Sequence, residues 1–484
     1  MFTSLGTQLT ARAEENPDAP AITCAGTTLT YDELDRRANR LARAYADRGV
    51  RHGDLVTLGL ANGIEFVTAA FAAWKLGATP QPVSALLPAR ERAAIVALAK
   101  PSLVVGVEEE IAGIASVPAG FEPDAALSDA PHPDRVAPAW KVMTSGGSTG
   151  RPKLIVAGLD SALDPATGEV THLRVGGVVL VPGPLYHNTP FQMTMVALQM
   201  GNHVVMLERF DAAATLEAIR VHRVEVVSLV PTMMQRILRL IEETGAEPDF
   251  GSVRSVWHMA SHCPSWLKRA WIDLVGPERL WEMYGSTEYV AATVISGAEW
   301  LEHPGSVGRP VVGEICVLDE EGRSVPPGEV GEIYMRPPAG ATLFRYIGAT
   351  ARTVGDWTTF GDLGSMDEQG YLYISDRRTD MIVTGGANIF PAEVEGVLLE
   401  HPQVLSAVVV GIPHHDLGHT AHAVVQTTGL VAEDELRRYM AERLVRYKQP
   451  RSYRLVSESL RDDAGKVRRT AIRDEETARL AAAH

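Results

Sequence analysis

Between residues 175 and 207 the chain carries no Asp, Glu, Lys or Arg, and that stretch limits what can be built around it. A charge-free span of this length could cross a bilayer as a helix. Pro182, Pro184 and Pro190, set around Tyr186, His187 and Asn188, exclude that. They break a helix and would leave polar groups unpaired in lipid. The span reads instead as a buried strand, a loop and a helix. Residues 175–181, 203–207 and 224–230 are apolar runs of strand length, as in sheets covered on both faces.

Amphipathic stretches alternate with these runs, which is the α/β pattern. Thr30 to Glu33 forms a capping box, opening a helix with Leu34, Ala38, Leu41, Ala42 and Tyr45 on one face. Residues 65–76 read as a helix stopped by Gly77. From about Val312, short strands separated by Gly/Pro turns suggest a small β subdomain. A last unit of strands at 405–410, 423–426 and 453–456 and a helix at 433–445 follows a polar boundary near Asp376. With 484 residues, the chain exceeds the roughly 250–300 that one core supports. The reading is residues 1–376 as a large domain and 377–484 as a small one.

The net charge of −15, with no clustered basic patch, argues against a nucleic-acid surface. Cys24, Cys263 and Cys316 stand far apart and in no CxxC pair, which excludes a disulfide framework and a structural zinc site and suggests a reducing compartment. The first twenty residues lack a basic and an apolar region, so no secretory signal is read and a cytoplasmic location is expected.

Chemistry concentrates in Thr144, Ser145, Gly146, Gly147, Ser148, Thr149 and Gly150, closed by Lys153. Glycines let backbone N–H groups approach a phosphate, hydroxyls add donors, and the lysine neutralises charge. The bland alternative, a Ser/Gly linker, would not follow an apolar strand and end in Pro-Lys. The Walker order Gly-Lys-Ser/Thr is missing.

This run resembles the ATP-binding loop of the adenylate-forming superfamily, which includes the acyl-CoA synthetases, and is closest in motif to bile-acid and aryl-acid CoA ligases. Four further segments match in order: Tyr284-Gly285-Ser286-Thr287-Glu288, Gly361 to Gly364 around Asp362, Asp376-Arg377 through Gly385-Gly386 to Pro391, and Asp463 to Lys466. The resemblance implies a large N-terminal domain of two α/β sheets plus a small β subdomain, and a small mobile α+β C-terminal domain. It implies ATP, Mg²⁺ and CoA as cofactors, with Thr287 at the AMP phosphate, Glu288 on the metal and Asp362 on the ribose. Lys466 would bridge the substrate carboxylate and the phosphate. Ser261, His262 and Cys263 would flank adenine, His187 would lie near the acyl carboxylate, and His258 and Met259 would line the acyl pocket. Gly385, Gly386 and Lys448 match the pantetheine path, whereas a tight turn needing positive φ is the plainer reading of the two glycines.

Two segments depart from the family pattern. In the loop, Ser145-Gly146-Gly147 stand where most members have Thr-Ser-Gly, and Leu154 where they have Gly; at the hinge, Thr379 replaces the usual Asp or Lys. No acid stands in residues 187–192, where amino-acid-activating relatives hold an α-ammonium, so the expected substrate is a carboxylic acid lacking an α-amino group (aryl, cinnamic-type or fatty). The reaction implied is acid plus ATP to acyl-AMP, then transfer to CoA. Transfer to a carrier-protein thiol, or activation of nitrite against an aryl amine to form a diazo group, would use the same loops. No membrane partner is expected, and a homodimer is left open.

Overall fold

The computed structural model describes residues 2–107, 111, 113–146, 152–341, 344–429, 431–462 and 465–482. Its largest sheet has nine strands, and the three apolar runs lie side by side within it as Val226–Leu229, Val178–Val181 and His203–Met206. From Leu280–Gly285 through Ser255–His258 and these three to Pro20–Cys24, every neighbour is parallel. Antiparallel strands close both edges. Pleating sends alternate residues to opposite faces. Trp257 and Met259 therefore join one apolar cluster, while Val256 joins the other.

The first cluster lies between this sheet and a second, parallel sheet of Thr79–Pro82, Leu55–Leu58, Leu103–Val105 and Ser116–Val117. Helices Leu5–Glu15, Tyr31–Asp47, Ile64–Lys75 and Asn188–Gln199 fill it. The Thr30–Glu33 capping box is formed, and Leu34, Ala38, Leu41, Ala42 and Tyr45 are all buried. Ile64–Lys75 ends as expected, with Gly77 at φ +68°. Phe66, Trp74 and Trp140 pack around Phe191, the first aromatic residue of the charge-free helix.

A three-stranded sheet holds the hairpin Val142–Gly146 and Pro152–Ala157, with Phe344–Ile347 paired to its second strand. The β subdomain is a five-stranded sheet containing Trp357–Met366 and Leu372–Arg377. The last unit is another five-stranded sheet built on the long pair Val404–His414 and Gly418–Thr427. Helix Glu433–Ala441 stops short of the expected 445, and a final helix, Arg469–Ala482, had no counterpart in the sequence reading. Its only buried side chain is Glu476, bonded to Arg454 and Arg479. It lacks the apolar stripe by which helices are found in a sequence. Among the described residues no helix is long and apolar enough to cross a membrane.

Candidate active site

The site begins at strand ends of the large sheet. Leu280–Gly285 runs out into a turn at Ser286 and Thr287, closed by Tyr289 N–H donating to Ser286 O, with Tyr289 at φ +61°. Glu288 is thereby turned inward and is 5% exposed. Its Oε1 lies 3.4 Å from Lys153 Nζ and accepts from the Tyr346 hydroxyl. Lys153 Nζ stands 4.1 Å from the Tyr346 ring centroid. The hairpin registers Ser145 against Lys153 and Gly146 against Pro152, so the closing lysine emerges beside the loop it ends. Gly147, Ser148, Thr149 and Gly150 lie outside the described residues, as does Asp463. Thr144 accepts from Gln81 Nε2 at 3.4 Å.

The second wall comes from the β subdomain. Tyr284 donates its hydroxyl to Asp362 Oδ2 at 2.8 Å, and Arg377 Nε stands 3.3 Å from Asp362 Oδ1. Burial, followed by the Asp362 charge and hydrogen bond, raises the Tyr284 pKa and keeps it a neutral donor. One carboxylate oxygen is thus held by each partner.

The third wall is the small domain. Asp462 and Lys466 close a loop through Asp462 N–H to Lys466 O at 2.9 Å and Lys466 N–H to Asp462 Oδ1 at 2.8 Å. Gly465, at φ +75°, is seated so tightly on the large domain that a Cβ there would lie 2.4 Å from Thr232 Oγ1. Arg468 pairs with Glu91, and Arg239 donates to Val404 O across the same boundary. Lys466 keeps surface open to the cleft, yet displaced water lowers its pKa, with Arg377 adding in the same direction and Asp462 opposing. Burial depresses the His187 pKa to about 3, and the Lys466 charge acts in the same direction from across the domain boundary. Among the described residues, His187 Nε2 and Ser286 Oγ are both buried without a partner.

Several predicted residues lie elsewhere. His258 is fully buried on the strand face opposite Met259, beside the Lys268–Glu282 pair, with its Nδ1 3.9 Å from Glu282. The strand separates the two residues that the sequence reading grouped, because period-two alternation sends adjacent side chains to opposite faces. Met259 does face the His187 segment, with Thr189 Oγ1 3.3 Å from its sulfur. Ser261 and His262 line a crevice beside Arg461 of the small domain, and burial pushes the Cys263 thiol pKa up. Gly385 and Gly386 form the turn between Ile382–Thr384 and Ala387–Ile389, at φ +54° and +83°. Lys448 holds both oxygens of Glu393 at 2.7 Å. Val383, Val445 and Tyr447, in the segments around that turn and Lys448, are exposed.

Sequence reasoning missed Tyr346 and Thr232, each of which is defined by what it meets across the fold.

The profile described as "AMP-binding enzyme" matches residues 9–345, and that described as "AMP-binding enzyme C-terminal domain" matches residues 393–466. A feruloyl-CoA synthase of an Amycolatopsis species is 32% identical over 97% of this chain and 98% of its own. A 2-succinylbenzoate–CoA ligase of Bacillus licheniformis is 29% identical over 95% of this chain and 98% of its own. Among solved structures, the o-succinylbenzoate CoA synthetase of Bacillus subtilis, bound to its acyl-adenylate intermediate, superposes with a TM-score of 0.84. It is 27% identical and covers 96% of this chain and 98% of its own.

Proposed function

The chain belongs to the AMP-binding enzyme family, and from that membership we propose that it is an acid–CoA ligase. It activates a carboxylic acid lacking an α-amino group as acyl-AMP, releases pyrophosphate, and passes the acyl group to CoA. The observation carrying this reading is the convergence of Lys466, His187, Asp362 with Arg377, and Glu288 with Lys153 from two domains. That is the set needed when a carboxylate attacks an α-phosphate and negative charges must be drawn together.

In this reading residues 1–376 and 377–484 are the two moving parts. Arg378 stays tied to Glu332 in the β subdomain at 2.9 Å, while Asp380 pairs with Arg469 at 3.2 Å. The pivot therefore falls at Thr379, between an anchor on each side. Lys466 acts on the first half-reaction, and the face with Gly385, Gly386 and Lys448 serves the second after the small domain turns. Exposed Val383 and Tyr447 support that division, since they mark the latter face as the one left in water here.

Glu288 fits a role on Mg²⁺. Mg²⁺ on a nucleotide takes one or two carboxylates and otherwise phosphate oxygens and waters, and among the described residues no cluster of three or more His, Cys, Asp or Glu side chains forms a cage. When bound, the ion would neutralise phosphate charge, with Lys153 beside it. Asp362, held by Tyr284 and Arg377, would receive the ribose hydroxyls, and His187, neutral at working pH, would orient the acid. Three free cysteines agree with a cytoplasmic location.

The test supplies aryl, cinnamic-type or fatty acids with ATP and Mg²⁺, then CoA, nitrite with an aryl-amine acid, or a carrier-protein thiol in separate reactions. Mass detection of a CoA thioester supports the reading. Nitrite-dependent AMP release with a diazo product, or loading of the carrier alone, would replace its second half.

A further inference from the structure

Lys141 directly precedes the strand Val142–Gly146 and is 1% exposed. Among the described residues no carboxylate pairs with it, and burial alone drives its pKa well down. Its amine donates to Asn188 Oδ1 and lies 4.0 Å from the Trp140 ring centroid and 5.1 Å from that of Tyr289. Asn188 is the first residue of the helix Asn188–Gln199, where the backbone dipole further disfavours a cation.

A buried lysine without a counter-charge is costly unless it is neutral or meets an anion from outside the chain. The placement says which. Lys141 leads into the phosphate-loop hairpin, Asn188 follows His187, and Tyr289 follows Glu288. The amine therefore stands where three reacting segments meet, held by Asn188 and packed against the Trp140 and Tyr289 rings. A neutral amine there offers a lone pair to an acidic O–H, and once protonated it offers donors to an oxyanion.

We propose that Lys141 is a specificity-determining residue of the acyl pocket and recognises an acidic oxygen substituent, a phenolic hydroxyl or a second carboxylate, on the acid. The proposal rests on the acid-activating reading above and deepens it. The proton balance is simple: a phenolic O–H shares its proton with Nζ, and for a second carboxylate Nζ takes one from water. No bond to carbon forms or breaks. A mere strut tying Asn188 and Tyr289 together would use the same contacts but would be indifferent to the substituent.

The test compares the unmodified chain with Lys141→Met, which keeps the length and removes the amine, and Lys141→Gln, which keeps a donor. Hydroxybenzoates, hydroxycinnamates and benzenedicarboxylates are each paired with the unsubstituted acid. Acid-dependent pyrophosphate exchange gives kcat/KM, and calorimetric titration gives binding without catalysis. The unmodified chain should prefer one substituted set, and Lys141→Met should lower that preference about 100-fold, whatever the absolute rates. Lys141→Gln should keep part of the preference for the hydroxyl set. The arm that responds identifies hydroxyl or carboxylate. Equal loss across all acids would make Lys141 a strut, and an unmodified chain binding substituted and unsubstituted acids alike would also overturn the proposal. Failure of acid activation reads differently: no exchange with any acid, while calorimetry still reports on Lys141.

Discussion

A single side chain in this cleft matters according to when its charge is needed. In the proposed reaction Lys466 would meet the phosphates only with the small domain docked, and so would act mainly on the transition state. Lys466→Ala should therefore lower acid-dependent pyrophosphate exchange by about 10²–10³, as for one lost electrostatic contact, with ATP binding by calorimetry little changed. Exchange near the parent rate would remove Lys466 from the mechanism. For Glu288→Gln, the Mg²⁺ titration of the first step should shift to higher concentration more than acid binding weakens; overlaid titrations would show that Glu288 is not a ligand. Titration of a buried group gives a third expectation. Burial holds folded His258 at about 4, against 6.5 ordinarily. The unfolded chain takes up this proton first, so stability is intact above pH 6.5 and declines as the pH falls toward 4. At pH 5 the loss is about 2 kcal/mol. His258→Leu should therefore narrow the drop in Tm between pH 7.5 and pH 5. An unchanged drop would show that His258 is not responsible.

Among elements, the loop of Asp462 and Lys466 is the most exposed to test, because its fit depends on a missing side chain. Gly465→Ala adds a Cβ that meets Thr232 and forces alanine into a left-handed backbone. Adenylation should slow while transfer from preformed acyl-AMP to CoA is spared. Adding Thr232→Ala should recover only part of the loss, since the backbone strain remains. Full recovery would mean that the contact alone mattered, and no loss would mean that the loop does not dock this way. The elements also show where the sequence was legible. Strands flanked by helices were readable because burial on both faces leaves continuous apolar runs, and Thr30 and Glu33 announced a helix by their own chemistry. Tyr346 was not readable, because its role comes from pairing its strand to Pro152–Ala157, a partner remote in sequence. Helix Arg469–Ala482 was hidden because charge pairs hold it, and hydrophobic period does not record them. His258 was misplaced because a motif gives order along the chain but not the face of the strand.

At the scale of the whole molecule, the two domains meet through Gly465 on Thr232, Arg239 on Val404 and the exposed pair Arg468–Glu91. The last is worth little by itself but marks where the domains can be tied. Glu91→Cys and Arg468→Cys, joined by a short bis-maleimide, should leave pyrophosphate exchange largely intact and suppress thioester formation. Equal effects on both steps would argue against a turning domain. Val383, Val445 and Tyr447 give the docked arrangement a further consequence. Apolar side chains left in water here would be covered if the small domain turned, and covering them lowers heat capacity. The balance between the two postures should then shift with temperature along a curve. Warming through the range where apolar association strengthens would favour the thioester-forming posture, and cold would hold the chain at the step that makes the adenylate.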